Sequence, residues 1–548
     1  MADHHAAQPA IGRQRIRVPQ QNQTALHLPP LNQAPNRFET NRVRIQDHAS
    51  TPLEISFFAG NLTLGQLQQQ ARNELTERAL AYSRQYLPNC NSPTADNQAI
   101  VMSGHQPELY HAGVWYKNFV LSELAERTSA IAINLVVDSD LSNRNSIRFP
   151  DLNSSPIRTD SIAIDQPVAA VPHEQRKVQD PSFVFALPDR VQQVFANANE
   201  PRIVDRLWPE TVQAYHELTP SNSAPALGAT IAAGRHRFEQ SVGLQTLEIP
   251  VSILSQTTAF ANFAAAIFDR ASEFRRTYNQ VLAEYRNVNR IRSNSHPVPE
   301  LEETDDWTEV PFWISSSKTL GRQRLFIRNL ADQIELSDRS QLHQVLPKSD
   351  FLAAFEQLND AGIAIRPRAL STTMLCRLLM SDIFIHGVGG AKYDQLTDAI
   401  CQRFFKYQLP EFLIVSATFR LPTQVPLVSK NDVTQLRTRR RECIFHPERF
   451  LDTDLLTSKA VELIQQKRHW TASSHIRSKE KHYAITGINQ QLRAILKPSD
   501  EQLQSDIDEL QLQLRSSQIA NSREYSFCLY GESLVDDLKR LTQMNFEG

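Results

Sequence analysis

Two groups of residues in this sequence have types and spacings suited to chemistry. The first is Phe384-Ile385-His386-Gly387-Val388-Gly389-Gly390, followed by Lys392 and Asp394. Glycine is scarce, 16 in 548 residues, yet Gly387, Gly389 and Gly390 fall within four positions ahead of a helical pattern. Glycines before a helix let backbone N–H groups approach an anion while the helix dipole favours negative charge. A phosphate or carboxylate suits such a loop, and Lys392 can neutralise it. The spacing is neither GxxxxGK[ST] nor GxGxxG, and a tight turn between helices fits the same glycines.

The second group is Ser103-Gly104-His105-Gln106-Pro107 with His111, then Lys117 and Asn118, then Asp138-Ser139-Asp140. These types supply a general base, a carboxylate pair able to hold an ammonium, and amide hydrogen-bonders. His105 and His111 lie six apart, outside same-helix ligand spacing, so no metal is expected. Asp138 and Asp140 also fit as caps of a turn after a strand. The run Arg437-Thr438-Arg439-Arg440-Arg441 lacks interleaved aromatics and reads as a solvated helix face.

The elements that must position these residues follow from periodicity. Ala99–Met102 is a short apolar run, Gly113–Arg127 has helical spacing through Val114, Phe119, Leu121 and Leu124, and Ile131–Val137 is β-branched. Strand, helix and strand in about forty residues form a βαβ unit with parallel, buried strands. Both strands then end on one sheet edge, at 103–107 and 138–140, and ligands of doubly wound folds bind outside carboxyl strand ends. In the later block Thr372–Asp382 is predicted helical, Phe384–Gly390 a loop, Ala391–Phe405 helical and Phe412–Ala417 a buried strand. Upstream, Leu62–Tyr86 reads as a packing helix with Leu64, Leu67, Ala71, Leu75, Ala79 and Tyr82 on one face.

Residues 1–36, rich in Gln, Pro, Asn and Ala, are expected to be a mobile tail. Residues 151–350 read as an inserted or second domain, with one long helical pattern over about Thr258–Val288 and strands at Trp307–Ile314 and Arg324–Ile327. From 426 to the end the chain reads as a helical arm. There Ser499 and Gln502 fit a capping box, and Leu503, Ile507, Leu510 and Leu514 follow a 4-3-4 spacing. Such an arm can pair with a second copy of the chain, although two heptads do not by themselves require a coiled-coil dimer.

Composition bounds the function. Lys plus Arg at 58 against Asp plus Glu at 60 gives a net charge of -2, so no global field recruits nucleic acid or an anionic membrane. Five dispersed cysteines without a CxxC pair argue against a disulfide framework or zinc module and for a reducing, cytoplasmic setting. No stretch approaches the roughly 18 apolar residues of a membrane span.

With both groups in view, the chain resembles the cysteine-adding enzymes of bacillithiol synthesis, the BshC family. The first family block is matched by Ser103-Gly104-His105-Gln106-Pro107, Leu109, Gly113 and Lys117, followed by a strand ending in Asp138 and Asp140. The second is matched by Arg366-Pro367, Gly387–Gly390 and Phe412–Phe419, in the same order. His105 stands where the family carries Gln. The resemblance implies a Rossmann-like α/β core with inserted segments, a coiled-coil-like helical arm and a nucleotide-like pocket. The core would comprise 37–150 and 351–425, separated by 151–350. The implied function is ligase-like, joining cysteine or a similar amine to a small sugar-linked substrate, with an adenine nucleotide as candidate cofactor. Gly387, Gly389 and Gly390 would seat an anion neutralised by Lys392 or Arg366. Asp138 or Asp140 would hold the ammonium, with His105 as proton acceptor. Ser103, Gly104, Gln106, Lys117, Asn118, His386 and Asp394 would line the site. A noncatalytic nucleotide- or sugar-binding protein on the same fold is the alternative.

Overall fold

The computed structural model describes residues 11–13, 16–52, 55–56, 62–90, 99–142, 145–195, 201–219, 223–451, 456–473, 478–496 and 500–548. The chain is a mixed α/β protein that divides into two compact units. One comprises residues 1–147, 162–420 and 523–548, the other 148–161 and 421–522.

In the first unit, six strands form one sheet: β1 (Thr24–Leu28), β2 (Ile100–His105), β3 (Ile131–Val136), β4 (Leu247–Pro250), β5 (Ile383–His386) and β6 (Leu413–Thr418). Their spatial order is β1-β6-β5-β2-β3-β4. Strands β2 to β6 run parallel, and β1 pairs antiparallel with β6. The chain steps outward through β2, β3 and β4, then crosses back to lay β5 on the other side of β2. The strand order therefore reverses between β2 and β5. Ile100, Val101 and Met102 of β2 and Leu413 and Val415 of β6 are buried, as expected of parallel strands covered on both faces.

Five helices matter for the site: α1 (Leu64–Arg84), α2 (Ala112–Arg127), α3 (Leu227–Ser241), α4 (Val388–Phe404) and α5 (Ser533–Glu547). Helix α1 starts in a capping box of Thr63 and Gln66 and buries the whole predicted face, Leu64 to Tyr82. Helix α2 lies across β2, β3 and β6. Its N-terminus comes so close to β6 that a Cβ on Gly113 would stand 2.1 Å from the Ala417 carbonyl oxygen. Alanine there gains helix propensity but must push backbone off backbone, so Gly113→Ala should destabilise by about 2 kcal/mol in urea unfolding. A stabilised variant would show that this contact does not hold α2 in place.

A second, antiparallel sheet orders His343–Pro347, Gln333–Ser337, Gln323–Asn329, Trp307–Ser316 and Ile363–Pro367. It shares a core with α1 and the helix Thr258–Asp269, built on Phe260, Phe268, Phe312, Phe351 and Phe355.

Several expectations are corrected. Residues 24–36 are not tail: β1 caps the sheet edge, because its backbone finds partners on β6 despite few buried apolar side chains. Residues 151–350 are not only an insertion, since Leu247–Pro250 supplies a strand of the main sheet. The helical stretch Thr258–Val288 is two helices broken at Arg270. The block 351–425 is shared between the sheets, with Arg366 on the antiparallel one. Finally, residues 523–548 rejoin the first unit, where α5 buries Leu534, Val535, Leu538 and Phe546 and packs on α2.

The second unit is mostly helical and carries most of a two-stranded hairpin of Ser146–Asp151 and Arg158–Ala163. Lys430–Phe445 runs antiparallel to Asp500–Ala520, with Arg440 paired to Asp500 and Arg437 bonded to Gln511. Ser458–Ala472 and Ser478–Arg493 form a further helical pair. Leu503 and Ile507 are buried while Leu510 and Leu514 are only half-buried. Ser499, half of the expected capping box, lies outside the described residues. No helix among the described residues is long and apolar enough to cross a membrane.

Candidate active site at the carboxyl edge of the parallel sheet

Parallel pairing places the ends of β5, β2 and β3 side by side. Ile385 registers with Ser103, and His105 with Val136. With neighbouring strands about 4.8 Å apart, 387–390, 103–107 and 138–140 share one edge. A side-chain bond links two of them directly: the Gln106 amide donates to Asp140 at 2.9 Å.

Some sequence-selected residues are committed inside the protein. The Ser103 hydroxyl donates to the Ile385 carbonyl at 3.0 Å and ties β2 to β5. Asn118 donates to Glu239 at 2.7 Å within a buried network of Trp115, Asn134, Arg235, Glu239 and Glu248. Lys117 donates to the Gly104 carbonyl at 2.7 Å. Burial, then the nearby Arg235 charge, brings the Lys117 ammonium down to about 7.

His105 packs edge-to-face on Tyr110, with ring centroids 4.9 Å apart. Burial, reinforced by the Lys117 charge, holds its imidazole down to about 3. At neutral pH this ring is a neutral hydrogen-bonder and too weak a base to keep a proton.

Asp140 and Arg366 are also engaged. Arg322, on the hairpin between Trp307–Ser316 and Gln323–Asn329, bonds the Ser139 carbonyl and reaches the Asp140 carboxylate at 3.1 Å. Arg322 and Arg368 both stack against Trp313, at 4.4 and 4.3 Å from the ring centroid. Arg366 closes its guanidinium fork on Glu174, at 2.9 Å and 3.2 Å.

Asp138 is different. Its carboxylate accepts from the Ser252 backbone at 3.0 Å and from the Ser252 hydroxyl at 2.5 Å. Burial and then the Glu174 charge push its carboxyl up to about 7, against the opposing pull of Ser252 and Arg366. It is the carboxyl at this edge brought into the range where a proton is exchanged at neutral pH.

The glycine-rich segment is not a loop. His386 ends β5, Gly387 caps α4, and Gly389 and Gly390 lie in its first turn. A Cβ on Gly387 or Gly389 would meet nothing within 4 Å, so this helix start is open, and Lys392 beside it is exposed. Beneath it His386 Nε2 is 2.9 Å from Asp394, which also receives Arg377 at 2.5 Å and Thr373 at 2.9 Å. Burial opposes the Asp394 charge, but Arg377 and His386 hold the carboxyl well below the usual carboxylate range. His386 and Asp394 thus anchor the helix that presents the glycines.

Ser252, Glu174 and Arg322 were not among the sequence-selected residues. Each reaches the edge from a segment without periodic signal, so only tertiary pairing identifies it. A separate surface cleft, lined in part by Ser255, Thr257, Phe355 and Glu356, contains none of the selected residues. Among the described residues no group of three or more His, Cys, Asp or Glu could hold a metal ion. No family model matches this chain, and neither does any curated protein sequence.

Proposed function

We propose that the chain is a ligase-like enzyme with a Rossmann-like core, joining cysteine or a similar amine to a small sugar-linked substrate in cytoplasmic thiol synthesis. One observation carries this reading. At the point where strand order reverses, an open glycine-lined helix start on β5 stands beside the β2 and β3 ends that carry Asp138. Doubly wound sheets bind ligands at such reversals, outside the carboxyl strand ends. The α4 N-terminus with Lys392 receives the anionic part of an adenine nucleotide or phosphosugar. Asp138 faces the amine, and neutral His105 and Gln106 supply hydrogen bonds. Asp140 and Arg322 hold Gln106 and the adjoining loop in position.

A noncatalytic binding protein is the second reading, favoured by the closure of Arg366 on Glu174 and of Arg322 on Asp140. Turnover separates the two.

Ligand binding is tested by thermal shift with ADP, ATP and amino-sugar conjugates. A ligand at 100 times its Kd stabilises the native state by about 2.7 kcal/mol, enough to raise Tm by a few degrees. Gly389→Val should remove that rise and leave the unliganded Tm near the parent value, since its Cβ meets open space. Equal shifts in both proteins would return the glycines to a purely structural role.

A further inference from the structure

Asp138 sits at the end of β3 with groups from four different segments around it. Ser252, just past β4, gives it both backbone N–H and hydroxyl, at 3.0 and 2.5 Å. The segment Pro172–Arg176 runs alongside, with the Glu174 N–H bonded to the Asp138 carbonyl at 2.9 Å and the His173 N–H to the Asp140 carbonyl at 2.9 Å. Arg366, from the antiparallel sheet, is forked on Glu174, and the phenol of Tyr82 on α1 feels the Asp138 charge. The charged or titratable groups facing Asp138 are therefore Glu174, Arg366 and Tyr82.

We propose that Ser252 and Glu174 are positioning residues for Asp138, fixing its carboxyl at the sheet edge so that it exchanges a proton with the amine substrate. This deepens the functional reading above and rests on it for the substrate alone. The step breaks one N–H bond of the substrate ammonium, leaving the electron pair on nitrogen, and forms one O–H bond on the Asp138 carboxylate; no other bond of the protein changes. Ser252 acts by donating to the ionised form and so favours proton loss. Glu174, which Arg366 holds at 2.9 Å, places a like charge beside it and favours retention. Burial supplies the underlying preference for the neutral acid.

The two residues act in opposite directions, which a merely structural role does not reproduce. Tm is measured from pH 4 to 9 for the full chain and for Asp138→Asn, and the difference isolates the titration of Asp138. The same pair is then measured in Ser252→Ala and in Glu174→Gln backgrounds. The window should move up by about one pH unit in Ser252→Ala and down by about one in Glu174→Gln. Ser252→Thr, which keeps the hydroxyl, should restore the parent window and serves if the alanine variant folds poorly. Windows that stay fixed, or that move the same way, overturn the assignment. No substrate enters this measurement, so fixed windows overturn the inference even where amine-joining turnover is found. Absence of turnover overturns the functional reading while moved windows still uphold the positioning of Asp138.

Discussion

Replacing Arg235 by leucine is expected to destabilise the protein by about 3–5 kcal/mol, the cost of removing one partner from a buried ion pair. Arg235 on α3 is 3% exposed and is the cation between Glu239, 1% exposed, and Glu248 of β4, 0% exposed. Its guanidinium reaches Glu239 at 2.9 Å and Glu248 at 2.5 Å. Trp115, Asn118 and Asn134 complete the set with neutral donors at 2.8, 2.7 and 2.7 Å. Without the guanidinium, two carboxylates remain in the interior with neutral donors only. Urea unfolding checks the size. A loss below about 1 kcal/mol in the single variant would mean that water reaches the cluster.

That network also marks the limit of what the sequence makes legible. Strand β2, helix α2 and strand β3 can be read directly, because each has a clean period and Gly113 and His111 punctuate the helix start. Strand β4 cannot, because Leu-Glu-Ile-Pro is four residues long and its glutamate becomes a core residue only through Arg235, thirteen positions earlier on another element. Strand β1 is hidden for a related reason: its order comes from backbone pairing with β6, almost four hundred residues away, and not from apolar content. At Gly387–Gly390 glycine content suggests a loop, yet the helix extends through it. The His386–Asp394–Arg377 cluster anchors its first turns from below. At the site itself the residue types of Asp138 and the glycines are visible in sequence. The ordering of their roles is not, because Ser252, Glu174 and Arg322 arrive from segments that carry no period.

The largest functional effect is expected at Asp138. Asparagine there keeps the shape and can still accept from the Ser252 backbone, but it cannot exchange a proton, so turnover should fall about 10²- to 10⁴-fold. Ligand-induced stabilisation should persist, because the proposed anion site lies on α4 rather than on β3. Stability should move the other way. The folded-state carboxyl is raised to about 7 by burial and Glu174, above the ordinary aspartate value, so the folded protein holds a proton that the unfolded chain gives up. The parent therefore loses stability as pH rises from roughly 4 to 7, and the loss is complete above that window. Asp138→Asn has no such loss. Its Tm should exceed the parent's at pH 8 by more than any difference at pH 4, while its rate is lower at every pH. An active-site group held in a protonation state against its ordinary preference gives this pairing of lost activity with gained stability. A variant that loses stability at pH 8 together with activity would place Asp138 in the fold and not in the chemistry. Full activity in the variant would leave the proton to another group at this edge, with Lys117, brought near neutrality beside Gly104, the next to test.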